Sequence, residues 1–361
     1  MKIAIDFSSI IYGTGVSVYT RNLIRSLLKL DKINQYLLFA GSLRRQKELK
    51  EFLNTLRGEN LQGRVFPIPP SLADILWNKI HILSVEQLIG NINVFHSSDW
   101  TQPPSAAFKV TTIHDLVPIK YPNMSDPKIV SAHTRRLYWV KREVDRVIVP
   151  SQATKDDLVR LGINNQRIRV IPEAPDDSIK RVDKDKVGSL KRKYRISGGY
   201  LLAIGVSPRK NIERIVQAFE KIKSGSGLKL VVIGHPYSKI SPKRGVVYLG
   251  HVPQPELPIF YSGARALIYP SLYEGFGLPI LEAFRCRTPV VTSNLGSMAE
   301  VAGNAAQLVD PYDVESISDG IRKVVVSSQL FVKKGTSRVK KFSWEKTAGD
   351  TLKVYYESQN K

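Results

Sequence analysis

Residues 266–283, Ala-Leu-Ile-Tyr-Pro-Ser-Leu-Tyr-Glu-Gly-Phe-Gly-Leu-Pro-Ile-Leu-Glu-Ala, leave few folds open to this chain. An apolar β run ends at Pro270 and Ser271, and a loop with Gly275 and Gly277 follows. A helix is then expected from about Leu278, because proline suits the first helical positions. Free N–H groups at such a helix start, together with its dipole, make a site for phosphate. Glycines without a Cβ let the backbone approach a ligand closely. Glu274 precedes this helix and Glu282 lies within it. A carboxylate repels phosphate but accepts several hydrogen bonds from vicinal sugar hydroxyls. A glutamate stabilising the helix dipole would explain one of the two acids, but not the pair with the glycines. The pattern fits a ligand with sugar, diphosphate and ribose in line.

The length of 361 residues exceeds one ordinary core and points to two domains. Apolar residues make up 42% and charged residues 24%, which argues against disorder. Apolar runs fall short of the ~18–20 residues of a membrane-spanning helix. The start, Met1-Lys2-Ile3-Ala4-Ile5-Asp6, reads as a strand rather than a signal peptide. A single cysteine, Cys286, excludes an internal disulfide or a cysteine metal cage, and a cytoplasmic location is expected. Lys and Arg outnumber Asp and Glu by 54 to 32, a net charge of +22. With no zinc-finger, helix-turn-helix or RNA-binding aromatic motif, no specific nucleic acid is expected. An anionic membrane surface is the preferred partner for that charge, which would place the chain peripherally on the cytoplasmic membrane face. The oligomeric state stays open.

Short β runs alternate with helical segments, the pattern of a parallel sheet covered on both faces. Strands are expected at 2–7, 36–39, 64–68, 94–97, 110–113 and 146–150, with helices at 16–30, 43–56, 72–88, 127–144 and 153–161. One more strand is expected within 167–174, with the interdomain linker near 175–184. The second half repeats the pattern, with strands at 200–205, 228–233 (followed by Gly234 and His235), 246–249 and 290–292. Helices are expected at 254–263 and 343–356, the last with Ser343 as its N-cap. The basic segment 127–146 reads as an amphipathic helix, and packing on the sheet is favoured over membrane contact. Asp183-Lys184-Asp185 lies among lysines in a linker and is rejected as a metal site.

Three further motifs stand where a doubly wound sheet places its ligand loops. Gly13-Thr14-Gly15 follows the first strand, with Val18 in place of the third glycine of a dinucleotide fingerprint. Thr112-Ile113-His114-Asp115 ends another strand, whereas His96 is expected to pack or to meet an acceptor. Val206-Ser207-Pro208-Arg209-Lys210-Asn211 supplies two cations before a helix, a second anion-binding arrangement.

Pro-Ser-x-x-Glu-Gly-Phe-Gly-Leu-Pro-x-x-Glu-Ala, with seven residues between Glu274 and Glu282, resembles the signature of glycosyltransferase family 4 (group 1), the retaining enzymes of GT-B fold. The resemblance implies an α/β protein of two Rossmann-like doubly wound parallel-sheet domains facing a central cleft. Residues 1–175 would bind the acceptor, 176–341 the nucleotide sugar, and 342–361 would cross back onto the first domain. It implies a hexosyltransferase acting on a saccharide or lipid-linked acceptor in polysaccharide or glycoconjugate synthesis, with GDP-mannose favoured as donor and no metal or other cofactor expected. Catalytic roles fall to His114, Glu274 and Lys210. Donor binding falls to Gly13, Gly15, Arg209, Lys210, Phe276, Gly277, Leu278 and Glu282, with Glu274 on the hexose and Glu282 on the ribose. Val206 stands where relatives often carry an arginine, so Lys210 is a firmer phosphate ligand than Arg209. Three rivals remain: a GT-B epimerase or phosphorylase, a basic nucleic-acid-binding protein, and a non-catalytic sugar-binding scaffold.

Overall fold

In a computed structural model, residues 1–222, 227–234 and 243–360 are described; His235 lies outside them. The chain forms two units, Met1–Glu173 with Ser343–Lys361, and Ala174–Phe342.

The first unit holds a seven-stranded sheet of β1 (Lys2–Asp6), β2 (Gln35–Gly41), β3 (Leu61–Phe66), β4 (Val94–Ser97), β5 (Phe108–Thr112), β6 (Arg146–Val149) and β7 (Ile168–Val170). Its order is β3-β2-β1-β4-β5-β6-β7, with every pairing parallel. The second unit holds β8 (Tyr200–Ile204), β9 (Lys229–Ile233), β10 (Val246–Tyr248), β11 (Leu267–Tyr269), β12 (Val290–Ser293) and β13 (Gln307–Val309), in the order β10-β9-β8-β11-β12-β13. These pairings are parallel too. Parallel strands need crossovers, and helices on both faces bury them, so the strands read as near-continuous apolar runs. In β8, Tyr200 and Leu202 enter the core on one face, and Leu201 and Ala203 the core on the other. In each sheet the strand order reverses once, between β1 and β4 and between β8 and β11. Carboxyl ends at such a reversal splay their loops apart and form the ligand crevice of doubly wound folds.

The helix Trp344–Tyr356 completes the first unit. Ser343 caps it by accepting from the Lys346 amide. Trp344 packs edge-on against Tyr19 at 5.7 Å, and Tyr355 is fully buried with its hydroxyl 2.6 Å from His96 Nδ1. The helix Pro127–Glu143, capped by Asp126, turns Ala132, Leu137, Val140 and a buried Arg136 inward, so its apolar stripe serves packing.

One expected helix is broken. Residues 72–88 read as continuous, but Pro70–Ala73 runs into a wide π turn, Asp74–Lys79, and a new helix starts at Val85. His81 and Leu83 take φ values of 60° and 63°, which an α-helix cannot contain. Ser84 then restarts the chain with a capping box, its amide donating to Gln87 Oε1 at 2.8 Å. Among the described residues no helix is long and apolar enough to cross a membrane.

Candidate active site

In the second unit the site grows from the two loops that flank the β8/β11 reversal. Gly205 ends β8 at φ +88°, and a Cβ there would lie 2.8 Å from Lys210 Cγ. The missing side chain is what lets the Lys210 stem lie over the backbone. Pro208–Lys210 forms a single 3-10 turn, closed by Asn211 in the left-handed region. Asn211 is buried, and its Nδ2 donates to Pro270 O at 3.1 Å and Pro311 O at 2.6 Å. The Leu272 amide donates to Arg209 O at 2.8 Å, so the two loops are fastened to each other.

That fastening brings Arg209, Lys210 and Glu274 together. Arg209 Nη1 lies 2.5 Å from Glu274 Oε2, and Lys210 Nζ lies 2.6 Å from Oε1. The Glu274 side chain is 11% exposed. Burial alone would raise its pKa, but the two cations outweigh that and hold it below the ordinary value. Lys210 also sits over the Tyr269 ring, 4.6 Å from its centre, and hydrogen-bonds its hydroxyl. Ser297 Oγ donates to Glu274 O at 2.7 Å and fixes the loop.

Gly277 takes φ +106° as the residue before the helix Leu278–Arg285. The Phe276 ring is buried in the core and packs on Phe342, so only its backbone is left to a ligand. Leu278, the first helical residue, packs against that core as well. Glu282 lies in the same helix and accepts from the Tyr261 hydroxyl at 2.6 Å. Burial raises its pKa, with Tyr261 working in the opposite direction. Lys210, Arg209 and Glu274 thus meet directly, whereas Glu282 is held by a tyrosine and feels Lys210 only through its field. Val206 is buried in the core, and both cations reach Glu274 without an arginine at that position.

In the first unit His114 follows β5. Its Nδ1 lies 2.8 Å from Glu173 Oε1, and Tyr19 meets the ring edge-on at 4.5 Å. Burial disfavours the charged imidazole, yet the hydrogen bond and charge of Glu173 prevail and raise its pKa. The neighbouring Asp115 accepts from the Val117 amide at 2.9 Å and shapes the loop. Gly13 turns the chain at φ +68°, and Gly15 opens the helix Gly15–Leu30 behind a Thr14–Ser17 capping box. A Cβ at either glycine would meet nothing within 4 Å, so both border open space. His96 is a packing residue. It is buried between Tyr355 and Thr112, and burial pushes its pKa down to about 3.

A cavity of about 760 Å³ opens in this unit beside the β1 end. Its lining includes Asp6, Tyr12, Asp74, Trp77, Trp100 and Arg135. Tyr12 and Trp100 lie 6.2 Å apart, aromatic faces that suit the apolar side of a sugar ring, with carboxylates beside them for hydroxyls. Sequence reasoning missed Asp6, Glu173, Asn211, Tyr261 and Tyr269. Glu173 did carry a signal, since an acid ends a strand in Pro172-Glu173-Ala174-Pro175. The two tyrosines and Asn211 gave none, because only the fold brings them to their partners.

Residues 200–335 match the model of the glycosyl transferases group 1, and residues 13–178 that of Glycosyltransferase Family 4. The chain is 31% identical over 282 residues to O-antigen chain mannosyltransferase B of Escherichia coli, covering 73% of this chain and 74% of that protein. The chain belongs to the family 4, group 1 glycosyltransferases. This glycosyltransferase is also 31% identical over 226 residues to O-antigen chain mannosyltransferase RfbU of Salmonella typhimurium, covering 59% of this chain and 60% of that protein. It spans about a third (32%) of the serotype-specific mannosyltransferase WbdA of Escherichia coli, at 27% identity over 66% of its own length. Among solved structures, sucrose-phosphate synthase from Thermosynechococcus elongatus superposes with a TM-score of 0.73 at 19% identity, covering 99% of this chain and 98% of that one. Anabaena Alr3699/HepE, solved with UDP and glucose, also gives 0.73, at 14% identity, covering 99% and 100%. The glycosyltransferase therefore has the GT-B fold, built from two Rossmann-like parallel-sheet units.

Proposed function

We propose that this glycosyltransferase moves mannose from a nucleoside-diphosphate sugar, GDP-mannose, to a saccharide or lipid-linked acceptor in the synthesis of a surface polysaccharide. The Arg209–Lys210–Glu274 cluster beside the β8/β11 reversal carries the reading, since two cations and a carboxylate gathered at the ligand crevice of a doubly wound sheet suit a sugar diphosphate. The mannosyltransferase names of the relatives supply the hexose.

In this scheme Lys210 and Arg209 take the charge of the departing nucleoside diphosphate. The amides of Phe276, Gly277 and Leu278 hold the distal phosphate and the hexose, and Gly13 and Gly15 approach the diphosphate. Glu274 accepts from the hexose hydroxyls and Glu282 from those of the ribose. His114, its Nδ1 engaged by Glu173, turns its other nitrogen to the transferred sugar. The bond from the anomeric carbon to the phosphate oxygen breaks, and the acceptor oxygen bonds to that carbon on the same face. The leaving phosphate takes the acceptor proton, so configuration is retained without a metal. Residues 1–175 carry the acceptor, 176–341 the donor, and 342–361 belong with the first domain. The charge of +22 favours a place at the cytoplasmic face of an anionic membrane.

A thermal-shift panel of UDP-, GDP- and ADP-sugars, followed by NMR of the product formed with excess EDTA, tests this reading. GDP-mannose should give the largest shift and the product an α-anomer. An inverted product, isomerised donor without acceptor, or loss of turnover in EDTA would each overturn part of it.

A further inference from the structure

The second unit has another cavity, of about 710 Å³, at the opposite end of its sheet. Its walls include Gly198 and Gly199 just before β8, Leu228 before β9, Arg265 before β11 and Pro289 before β12. Arg209, Lys210 and Glu274 follow the carboxyl ends of the same sheet. With ~3.3 Å of rise per residue, the two places lie on the order of 15 Å apart.

Among the described residues, four cations line this cavity, Arg181, Lys191, Arg265 and Arg287, and no acidic residue does. Elsewhere on the unit, cations near an acid take it: Arg285 pairs with Asp177, Lys193 with Glu256, and Arg322 with Asp319. Among the described residues, Lys191, Arg265 and Arg287 have no such partner. The residues outside the description include no Asp or Glu that could supply one. Arg181 is anchored by a bond from its Nη1 to Cys286 O at 3.1 Å. Arg287 stands at φ +58°, just past the end of the helix Leu278–Arg285, a place where glycine is the ordinary residue. Val187, Leu228, Val325 and Val332 add apolar side chains to the lining.

Uncompensated like charges held together repel one another, and an anion relieves that repulsion. Arginine is the cation best shaped to grip phosphate through two nitrogens at once. We propose that this cavity is a second anion site, separate from the donor site, which takes two or more phosphate groups carried by one ligand or by neighbouring headgroups. The same chemistry is offered by a soluble polyphosphorylated metabolite and by the headgroups of anionic lipids.

Isothermal titration with tripolyphosphate, on the native chain and on Arg265→Ala/Arg287→Ala, measures the difference. The native chain should bind one equivalent more than the variant, whatever the donor site contributes. The donor KM should be equal in both, and both side chains are exposed, so the fold should persist. Lys191→Ala provides an independent check and should weaken the same equivalent about tenfold, the worth of one charge-assisted contact. Flotation with phosphatidylglycerol vesicles then separates the sources: loss in the double variant marks a lipid headgroup, and unchanged flotation marks a soluble ligand. Equal stoichiometry and affinity in the native chain and the double variant would mean an adventitious ion only, and the proposal would fall.

Discussion

Replacing Lys210 with methionine keeps the length of the side chain and removes its charge, which isolates what the cation does for Glu274. At 2.6 Å and an effective dielectric near 20, the pair attracts by about 6 kcal/mol before solvation is counted. Arg209, at 2.5 Å, still partners the carboxylate in the variant, and part of the remainder returns as hydration. A net loss of about 3 kcal/mol is therefore expected, at the lower end for a broken buried pair. The four tryptophans, Trp77, Trp100, Trp139 and Trp344, all lie in the first unit, so tryptophan fluorescence does not report on this site. Urea unfolding followed by far-UV circular dichroism does. With a slope of about 3 kcal/mol/M the midpoint should fall by about 1 M. Glu274→Gln leaves two cations facing a neutral amide and should cost somewhat less. Combining the two should recover about 2 kcal/mol relative to the sum of the single changes, because the buried charge left unpaired by one is removed by the other. A Lys210→Met midpoint within about 0.2 M of the native one, or strict additivity in the double variant, would refute the account of these residues as a coupled ion cluster.

Steady-state kinetics should separate the two glutamates: Glu274→Ala abolishes most transfer, while Glu282→Ala raises the donor KM and leaves kcat nearer native. Full activity in both variants would remove their assigned roles. The His114 pKa is raised when folded, so its pairing with Glu173 stabilises fully below about pH 6.5 and fades as pH climbs through the raised value. Urea midpoints of the native chain should thus converge on those of Glu173→Gln as pH rises above that point, and a gap that widens would reverse the sign. Gly277→Ala forces an L-residue to φ +106° and sets a methyl 3.2 Å from Ile280 Cδ1, at a cost of roughly 1–3 kcal/mol. Unchanged thermal stability and donor affinity would show that the loop adapts.

Much of the site could be read from the chain because its parts are local. The 266–283 segment holds a strand end, two loop glycines, a helix start and both acids within consecutive residues, so spacing alone predicts their order. Most strand positions followed from apolar runs, although β13 (Gln307–Val309) was not expected and β3 runs from Leu61 to Phe66 instead of 64–68. What stayed hidden depends on distance along the chain. Glu173 is 59 residues from His114, and Asn211 reaches Pro311 across 100. Arg136 looked like one more surface cation of a basic helix, yet it is buried with its guanidinium donating to Thr111 Oγ1 at 2.6 Å. The break at residues 80–84 was masked by an apolar pattern that fits a helix, although backbone at His81 and Leu83 turns the other way. Arg209 and Lys210 were read for their action on the donor, whereas each also neutralises Glu274.

The chain leaves its first unit at residue 173 and returns at 343, so the second unit is an insertion in the first. During translation the inserted portion is complete when it clears the ribosome, whereas its host still lacks Trp344, Val354 and Tyr355, all buried in it. Until those arrive, His96 has no Tyr355 hydroxyl and the helix Gly15–Leu30 leaves an apolar flank to solvent. The half made first is therefore finished last, and a nascent chain stalled before residue 343 would offer chaperones an unfinished amino-terminal half beside a carboxyl-terminal one already folded.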